Sequence, residues 1–302
     1  MLQTINTHST IDADSEAKFD IEVRPLYSRN LDRTENELDS RYARAIVRTD
    51  TQEHLGILGP RTEPIPYKET IEETNDALAR LGIYHNFTTE VYDNGAMMRR
   101  KIEFPKTTIE PVVGDIVCFS IDHFDSYNGK WALQLNATAK RLVCLNGMTK
   151  PDYIVRAYTK HTRNAGLKYS EILDKIQLGM DTFRDSSETY TKYYNTPMVH
   201  EQFEKLITKT IAYNPKHDPS QLRPEYSKLK IKALNEHWDN NSATLGSNAW
   251  AAYNAMTEWA THGATRGAVH MVERNRNQEV AKALRSSYWK NLVNESTNLR
   301  VI

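Results

Sequence analysis

Two Asn-Gly dipeptides, at residues 94–95 and 128–129, each stand between stretches in which apolar and polar residues alternate. Alternation is typical of a strand with one buried face, and Asn-Gly favours tight hairpin turns because both of its positions readily adopt a positive φ. The patterns predict two consecutive β-hairpins, and therefore a four-stranded antiparallel meander. In its last strand Leu133 and Leu135 alternate with Gln134, so we expect one apolar face and one polar face.

Helical spacing appears on both sides of this predicted sheet. Before it, Ile71, Thr74, Leu78 and Leu81 recur at the spacing of an amphipathic helix, and Gly82 stands where its C-terminal cap belongs. From Pro151 onward the spacing is helical again. Short strands are also expected at residues 19–26, 43–47 and 54–58. The predicted fold class is α+β: a four-stranded antiparallel meander sheet preceded by a helix and followed by a largely helical C-terminal half.

Charge is spread unevenly along the chain. Lys plus Arg and Asp plus Glu each number 39, so the formal net charge is zero. Residues 1–96 nevertheless carry a net −8, residues 97–168 a net +6 and residues 169–302 a net +2. We predict an acidic, partly flexible arm (1–40), an α+β sheet domain (41–168) and a helical region packed on or beside it (169–302).

Several classes of protein lack their usual sequence signals here. Cys118 and Cys144 are too few for a disulfide framework and have no metal-ligand spacing, so they are expected to be small buried apolar residues. There is no secretory signal and no run near the roughly 20 apolar residues of a membrane span, which favours the host cytoplasm. P-loop, dinucleotide-binding, nucleophile-elbow and zinc-protease motifs are absent. No cofactor and no catalytic residue are predicted.

The basic segment predicts a nucleic-acid site, because a cationic groove with interleaved aromatic rings can follow a phosphate backbone and stack unpaired bases. We assign nucleic-acid binding to ten residues: Arg99, Lys101, Lys130, Trp131, Lys140, Arg141, Arg156, Tyr158, Lys160 and Arg163. The alternative is that these charges are solvated surface residues and that Trp131 belongs to the core, since it shares a face with Leu133 and Leu135.

Metal chemistry has weaker support. Asp122, His123 and Asp125 could ligate a metal, but they are expected where a hairpin loop begins, and Asp is a common turn residue. A nuclease site in which Glu103, Asp115 and Lys101 converge with Asp122 in three dimensions has no positive support from spacing. We therefore predict no metal site.

Three strings, in order, resemble the phage and plasmid protein family catalogued as domain of unknown function 932. They are LGILGPRTEPIPYKETIEETNDAL, WALQLNATAKRLVCLNGM and NAWAAYNAMTEWATHGATRG, and the most specific element is RLVCLNG. This resemblance implies a mobile-element context without an assigned reaction. A helix, a small meander and a long helical region also resemble, in outline, the phage single-strand annealing proteins of the Red-beta type.

The leading hypothesis is a phage-encoded single-stranded DNA-binding protein, working as a homo-oligomer in single-strand annealing. Whether it is an enzyme stays open, with non-enzymatic DNA binding favoured. One alternative is a virion or host-interaction protein that does not bind nucleic acid. A further alternative is a metal-dependent nuclease.

Overall fold

The computed structural model describes most of the chain. The described residues are 14–29, 35–37, 43–59, 62–141, 146–148, 155–159, 169–212, 225–263 and 269–298. The chain divides into two compact units. Unit 1 comprises Met1–Lys106, Ser120–Ala137 and Val155–Met180, and unit 2 comprises Thr107–Phe119, Thr138–Ile154 and Asp181–Ile302. The units are interleaved along the chain, whereas the domains expected from the sequence were contiguous; those boundaries stay predictions.

The described elements follow the order expected for an α+β protein. The strands are β1 (Ile21–Pro25), β2 (Tyr27–Arg29), β3 (Glu35–Glu37), β4 (Arg44–Arg48), β5 (His54–Leu58), β6 (Asn86–Tyr92), β7 (Met97–Val112), β8 (Asp115–Ser126), β9 (Leu133–Arg141), β10 (Asn146–Met148) and β11 (Val155–Thr159). The helices are α1 (Tyr67–Leu81), α2 (Tyr169–Tyr194), α3 (His200–Thr210), α4 (Glu225–Leu245), α5 (Ala249–His262), α6 (Val269–Arg285) and α7 (Ser287–Asn298).

The predicted meander is confirmed. Strands β6, β7, β8 and β9 are neighbours in chain order, and β6 pairs with β7 from Asn86↔Glu103 to Tyr92↔Met97. The first turn uses three residues with positive φ, Asp93 (49°), Asn94 (58°) and Gly95 (110°), rather than two. The sheet is larger than predicted, because β10 and β11 both pair with β9.

Strand β11 corrects the prediction that the chain is helical from Pro151 onward. Val155–Thr159 is extended and pairs antiparallel with β9, from Val155↔Ala137 to Thr159↔Leu133. The ladder to β9 supplies the backbone hydrogen bonds that a helix would have made internally. After Pro151, continuous helix begins at α2 among the described residues, and the side chains of Ile172, Ile176, Met180 and Phe183 in it are buried.

The core of unit 1 lies between α1 and neighbouring strands. Tyr67 and Ile71 of α1 are buried with Phe19, Met98 and Tyr127, and the rings of Tyr67 and Tyr127 stack with centroids 4.1 Å apart. Helix α1 ends at Leu81 and is capped by Gly82, whose φ is 63°, as predicted. The three short N-terminal strands are confirmed as β1, β4 and β5, which form a separate three-stranded sheet.

Unit 2 is built around α5. This helix is buried along nearly its whole length, and Asn248 caps it by accepting a hydrogen bond from the Ala251 N–H at 2.9 Å. Its Trp250 and Tyr253 pack against Tyr190 of α2, with ring centroids 5.0 and 5.7 Å from the Tyr190 ring. Cys118 is buried, as predicted, whereas Cys144 lies outside the described residues. Among the helices described, none is long and apolar enough to cross a membrane.

Candidate nucleic-acid interface

The structure brings several of the predicted nucleic-acid residues to one sheet of unit 1. Arg99 and Lys101 lie on β7, and Lys130 lies in the connection between β8 and β9. On β11, the Cα positions of Arg156 and Tyr158 are paired with those of Asn136 and Gln134 on β9. The side chains of Arg156 and Tyr158, and all of Lys160 and Arg163, lie outside what the structure describes.

We call the side of this sheet that carries Glu90, Arg99, Lys101, Asp122 and Phe124 the polar face. Three predicted cations on or beside it are paired with carboxylates. The pairs are Arg99 Nη2–Asp122 Oδ1 at 3.2 Å, Lys101 Nζ–Glu90 Oε2 at 3.4 Å and Lys130 Nζ–Asp93 Oδ2 at 2.8 Å. The positive charge counted along the sequence is therefore locally balanced at these positions.

Glu90 keeps its charge on this face. Partial burial acts to raise the pKa of its carboxyl group. The hydroxyl of Tyr92, which donates to Glu90 Oε2 at 2.7 Å, and the ammonium group of Lys101 outweigh burial and hold the pKa below its usual value. Glu90 is thus ionised at neutral pH and attracts Lys101.

Trp131 is a core residue, which corrects its assignment to base stacking. Its exposed fraction is 2%, and its ring makes edge-to-face contacts with Tyr92 and Phe124 at centroid distances of 5.8 and 5.1 Å. The Ser126 hydroxyl accepts a hydrogen bond from the backbone N–H of Trp131 and donates one to the backbone carbonyl of the same residue. A ring held in this way has no open π-face for a base.

Arg99 is also less accessible than predicted. Its exposed fraction is 7%, and its guanidinium lies between Asp122 and the ring of Phe124, 5.2 Å from the ring centroid. A phosphate could contact Arg99 only after the Asp122 carboxylate had moved away from the guanidinium. The side chains of Lys101 and Lys130 remain 36% and 49% exposed, so these two residues are the described cations of unit 1 that best fit the prediction.

The remaining predicted cations with described side chains, Lys140 and Arg141, belong to unit 2. Lys140 is half-buried, whereas Arg141 is 2% exposed and forms an ion pair with buried Asp115. Asp115 also accepts a hydrogen bond from Trp250 Nε1 at 2.6 Å. Arg141 is therefore not accessible to a phosphate backbone, because its guanidinium is buried and neutralises a buried carboxylate.

The candidate metal residues Asp122, His123 and Asp125 lie within strand β8 and not in a turn, which corrects the prediction. Alternation along the strand directs Asp122 to the polar face and His123 and Asp125 to the opposite side. Among the described residues, no three His, Cys, Asp or Glu side chains form a group that could hold a metal ion. The carboxylate of Asp115, a candidate nuclease residue, accepts hydrogen bonds from Arg141 and Trp250.

A buried polar cluster in unit 1 was not predicted. Arg100, 0% exposed, donates to Asp14 and Asn75, and the Thr89 hydroxyl also donates to Asp14. His123 is fully buried, and burial together with the charge of Arg100 lowers its pKa to about 3. In the sequence, Arg100 occupied an apolar position of the alternation, between Met98 and Ile102, and this was the only signal of its burial.

Comparison with known proteins identifies a family without assigning an activity. No curated protein and no solved structure matches the chain significantly. A family model described as domain of unknown function (DUF932) matches residues 54–288. That range includes α1, the whole meander and the helices of unit 2 up to the start of α7. Because the match extends over most of the sequence, the chain belongs to the DUF932 family.

Proposed function

We propose that this protein binds single-stranded DNA through the polar face of unit 1 and anneals complementary strands as an oligomer. The observation that carries the proposal is that cationic positions from separate segments come together at one sheet: Arg99 and Lys101 on β7, Lys130 in the connection between β8 and β9, and Arg156 on β11. The side chains of Lys101 and Lys130 are 36% and 49% exposed there. The basic character of residues 97–168 supports the same proposal.

The carboxylates on this face do not preclude DNA binding. Exposed ion pairs contribute only about 0–1 kcal/mol, because water screens them and the long side chains lose entropy. A DNA phosphate can therefore replace Glu90 or Asp93 at little cost. Release of counterions from the strand then supplies the driving force, which weakens as salt rises.

The salt dependence of binding provides the test. A labelled single-stranded oligonucleotide should bind the intact protein at about 50 mM salt, where phosphate interactions are strong. The double variant K101A/K130A should bind more weakly, and the slope of log affinity against log salt should fall by about 0.7 for each lysine–phosphate interaction removed.

Lys68→Ala is the matched control. Lys68 also forms an exposed ion pair in unit 1, with Asp20 at 2.5 Å, but it lies on α1. The Lys68→Ala variant should leave the slope of log affinity against log salt unchanged. Absence of binding at low salt, or an equal weakening of binding in the control and the double variant, would contradict the proposal. Annealing is measured separately, as the protein-dependent increase in the rate at which complementary oligonucleotides pair.

A second candidate function is an assembly or host-interaction protein that does not bind nucleic acid. The specific observation in its favour is that Arg99, Lys101, Lys130 and Arg141 all have carboxylate partners. Sedimentation with and without oligonucleotide separates the two candidates. Defined oligomers that ignore DNA at low salt would favour this second function.

A further inference from the structure

The buried cluster around Arg100 has the composition of an oxyanion-binding site. The Arg100 guanidinium donates from Nε to Asp14 Oδ1 at 3.0 Å and from Nη2 to Asp14 Oδ2 at 3.2 Å. This two-point geometry is how arginine recognises a carboxylate or a phosphate. Thr89 donates a further hydrogen bond to Asp14 Oδ1. The carboxylate therefore has three donors from two adjacent strands.

The rest of the cluster holds the arginine in place. Asn75 of α1 accepts a hydrogen bond from Arg100 Nη2 at 2.6 Å, and the Phe87 ring lies 4.1 Å from the guanidinium carbon. These contacts do not involve Asp14. The guanidinium is thus positioned by the sheet and α1 as well as by the carboxylate that it binds.

His123 gives a second, independent indication of a ligand site. Its side chain is completely buried on β8, the neighbour of β7 in the sheet. It lies on the same side of the sheet as Arg100, because the preceding residues, Asp122 and Arg99, pair on the other side. Neither of its ring nitrogens has a hydrogen-bond partner among the described residues. Buried polar atoms are usually satisfied, so an unpartnered imidazole beside a buried guanidinium points to a site with capacity for another polar group.

The carboxylate in the site comes from outside the family region. Arg100, Thr89, Asn75 and His123 all lie within residues 54–288, whereas Asp14 lies on the segment that precedes them. That segment is attached by Phe19, which packs against Tyr67 and Tyr127.

We propose that the DUF932 region of this protein contains an oxyanion-binding site, formed by Arg100, Thr89, Asn75 and His123, which the chain closes with its own Asp14. The site takes a carboxylate or phosphate group. Displacement of residues 14–20 would open it to an external ligand of that class. The proposal does not depend on DNA binding, because the site lies on the side of β7 opposite Arg99 and Lys101.

Chemical rescue tests the proposal. Asp14→Ala removes the carboxylate and leaves space for a small anion beside Arg100. Its thermal midpoint should fall, and sodium formate or inorganic phosphate should raise it by about 2–4 °C in a saturable manner. Sodium chloride at equal ionic strength should not. Formate alone would identify a carboxylate site, and phosphate would identify one that also takes larger anions.

Asp20→Ala is the matched control, because it also removes a carboxylate from residues 14–20. The carboxylate of Asp20 forms an exposed ion pair with Lys68. It should show no specific response to formate or phosphate. If Asp14→Ala does not fold, refolding yield is measured instead, and recovery with formate or phosphate but not chloride supports the site. No anion-specific recovery, or an equal response in Asp20→Ala, overturns the proposal.

Discussion

The carboxylate of Asp115 accepts a hydrogen bond from the indole Nε1 of Trp250 at 2.6 Å, across 135 positions of the chain. Both residues are buried, and Arg141 binds the other oxygen of the same carboxylate. Within unit 2, this network joins the first residue of β8 to the first turn of α5. It satisfies a charge that would otherwise be costly to bury.

Trp250→Phe should lower the free energy of unfolding by about 1–3 kcal/mol, because Asp115 loses a donor that water cannot readily replace. Urea unfolding followed by circular dichroism measures the change. Trp238→Phe is the control, since Trp238 is also buried and stacks on Phe203 with centroids 4.8 Å apart. Equal destabilisation of the two variants would show that indole packing alone explains the effect.

Arg141→Met should destabilise the protein by about 3–5 kcal/mol, because it leaves the buried carboxylate of Asp115 without its cation. The exposed pair Arg24–Glu22 provides a comparison, with side chains 37% and 47% exposed. Arg24→Met should leave the free energy of unfolding nearly unchanged, because water screens this exposed pair. Similar urea midpoints for both variants would contradict the view that burial makes the Asp115 pair costly to break.

Gly56→Ala should destabilise unit 1, because a Cβ at this position of β5 would lie 2.3 Å from the Tyr127 carbonyl oxygen. Backbone must then move, at a cost of about 1–3 kcal/mol or more. Gly59→Ala is the control, since its nearest neighbour, Thr62 Oγ1, would be 4.0 Å away. Thermal unfolding should separate the two variants. A Gly56→Ala protein as stable as Gly59→Ala would rule out the close approach.

Acid should destabilise the protein through His123. Its pKa falls from the ordinary 6.5 to about 3 in the folded state, so the unfolded chain binds the proton first as pH drops. Stability contributed by neutral His123 is complete above about pH 6.5 and is lost progressively down to pH 3, by as much as about 5 kcal/mol. Urea titrations between pH 7 and pH 4 measure the slope.

His123→Gln should flatten this pH dependence, because an amide does not titrate in that range. The control is His54→Gln, which makes the same substitution at an exposed position of β5. An unchanged slope in His123→Gln would show that other groups cause the acid sensitivity.

Local patterns predicted much of the fold. Asn94-Gly95 and Asn128-Gly129 marked the hairpins, and Gly82 marked the end of α1, because turns and caps depend on residues close in sequence. Strand β11 was missed because its hydrogen bonds come from β9, whose position relative to residues 155–159 is set by tertiary pairing. Trp131 shares a face with Leu133 and Leu135 in the alternating pattern, and this had already indicated that Trp131 belongs to the core, where the structure places it.

The candidate site, too, could be predicted only in part from the sequence. Composition established a basic middle segment, and spacing established that it forms a sheet. Tertiary structure decided which cations are accessible, because Arg99, Lys130 and Arg141 meet carboxylates that lie 23, 37 and 26 positions away. Electrostatic balance depends on distance in space and on burial, and neither is expressed in the order of charges along a chain.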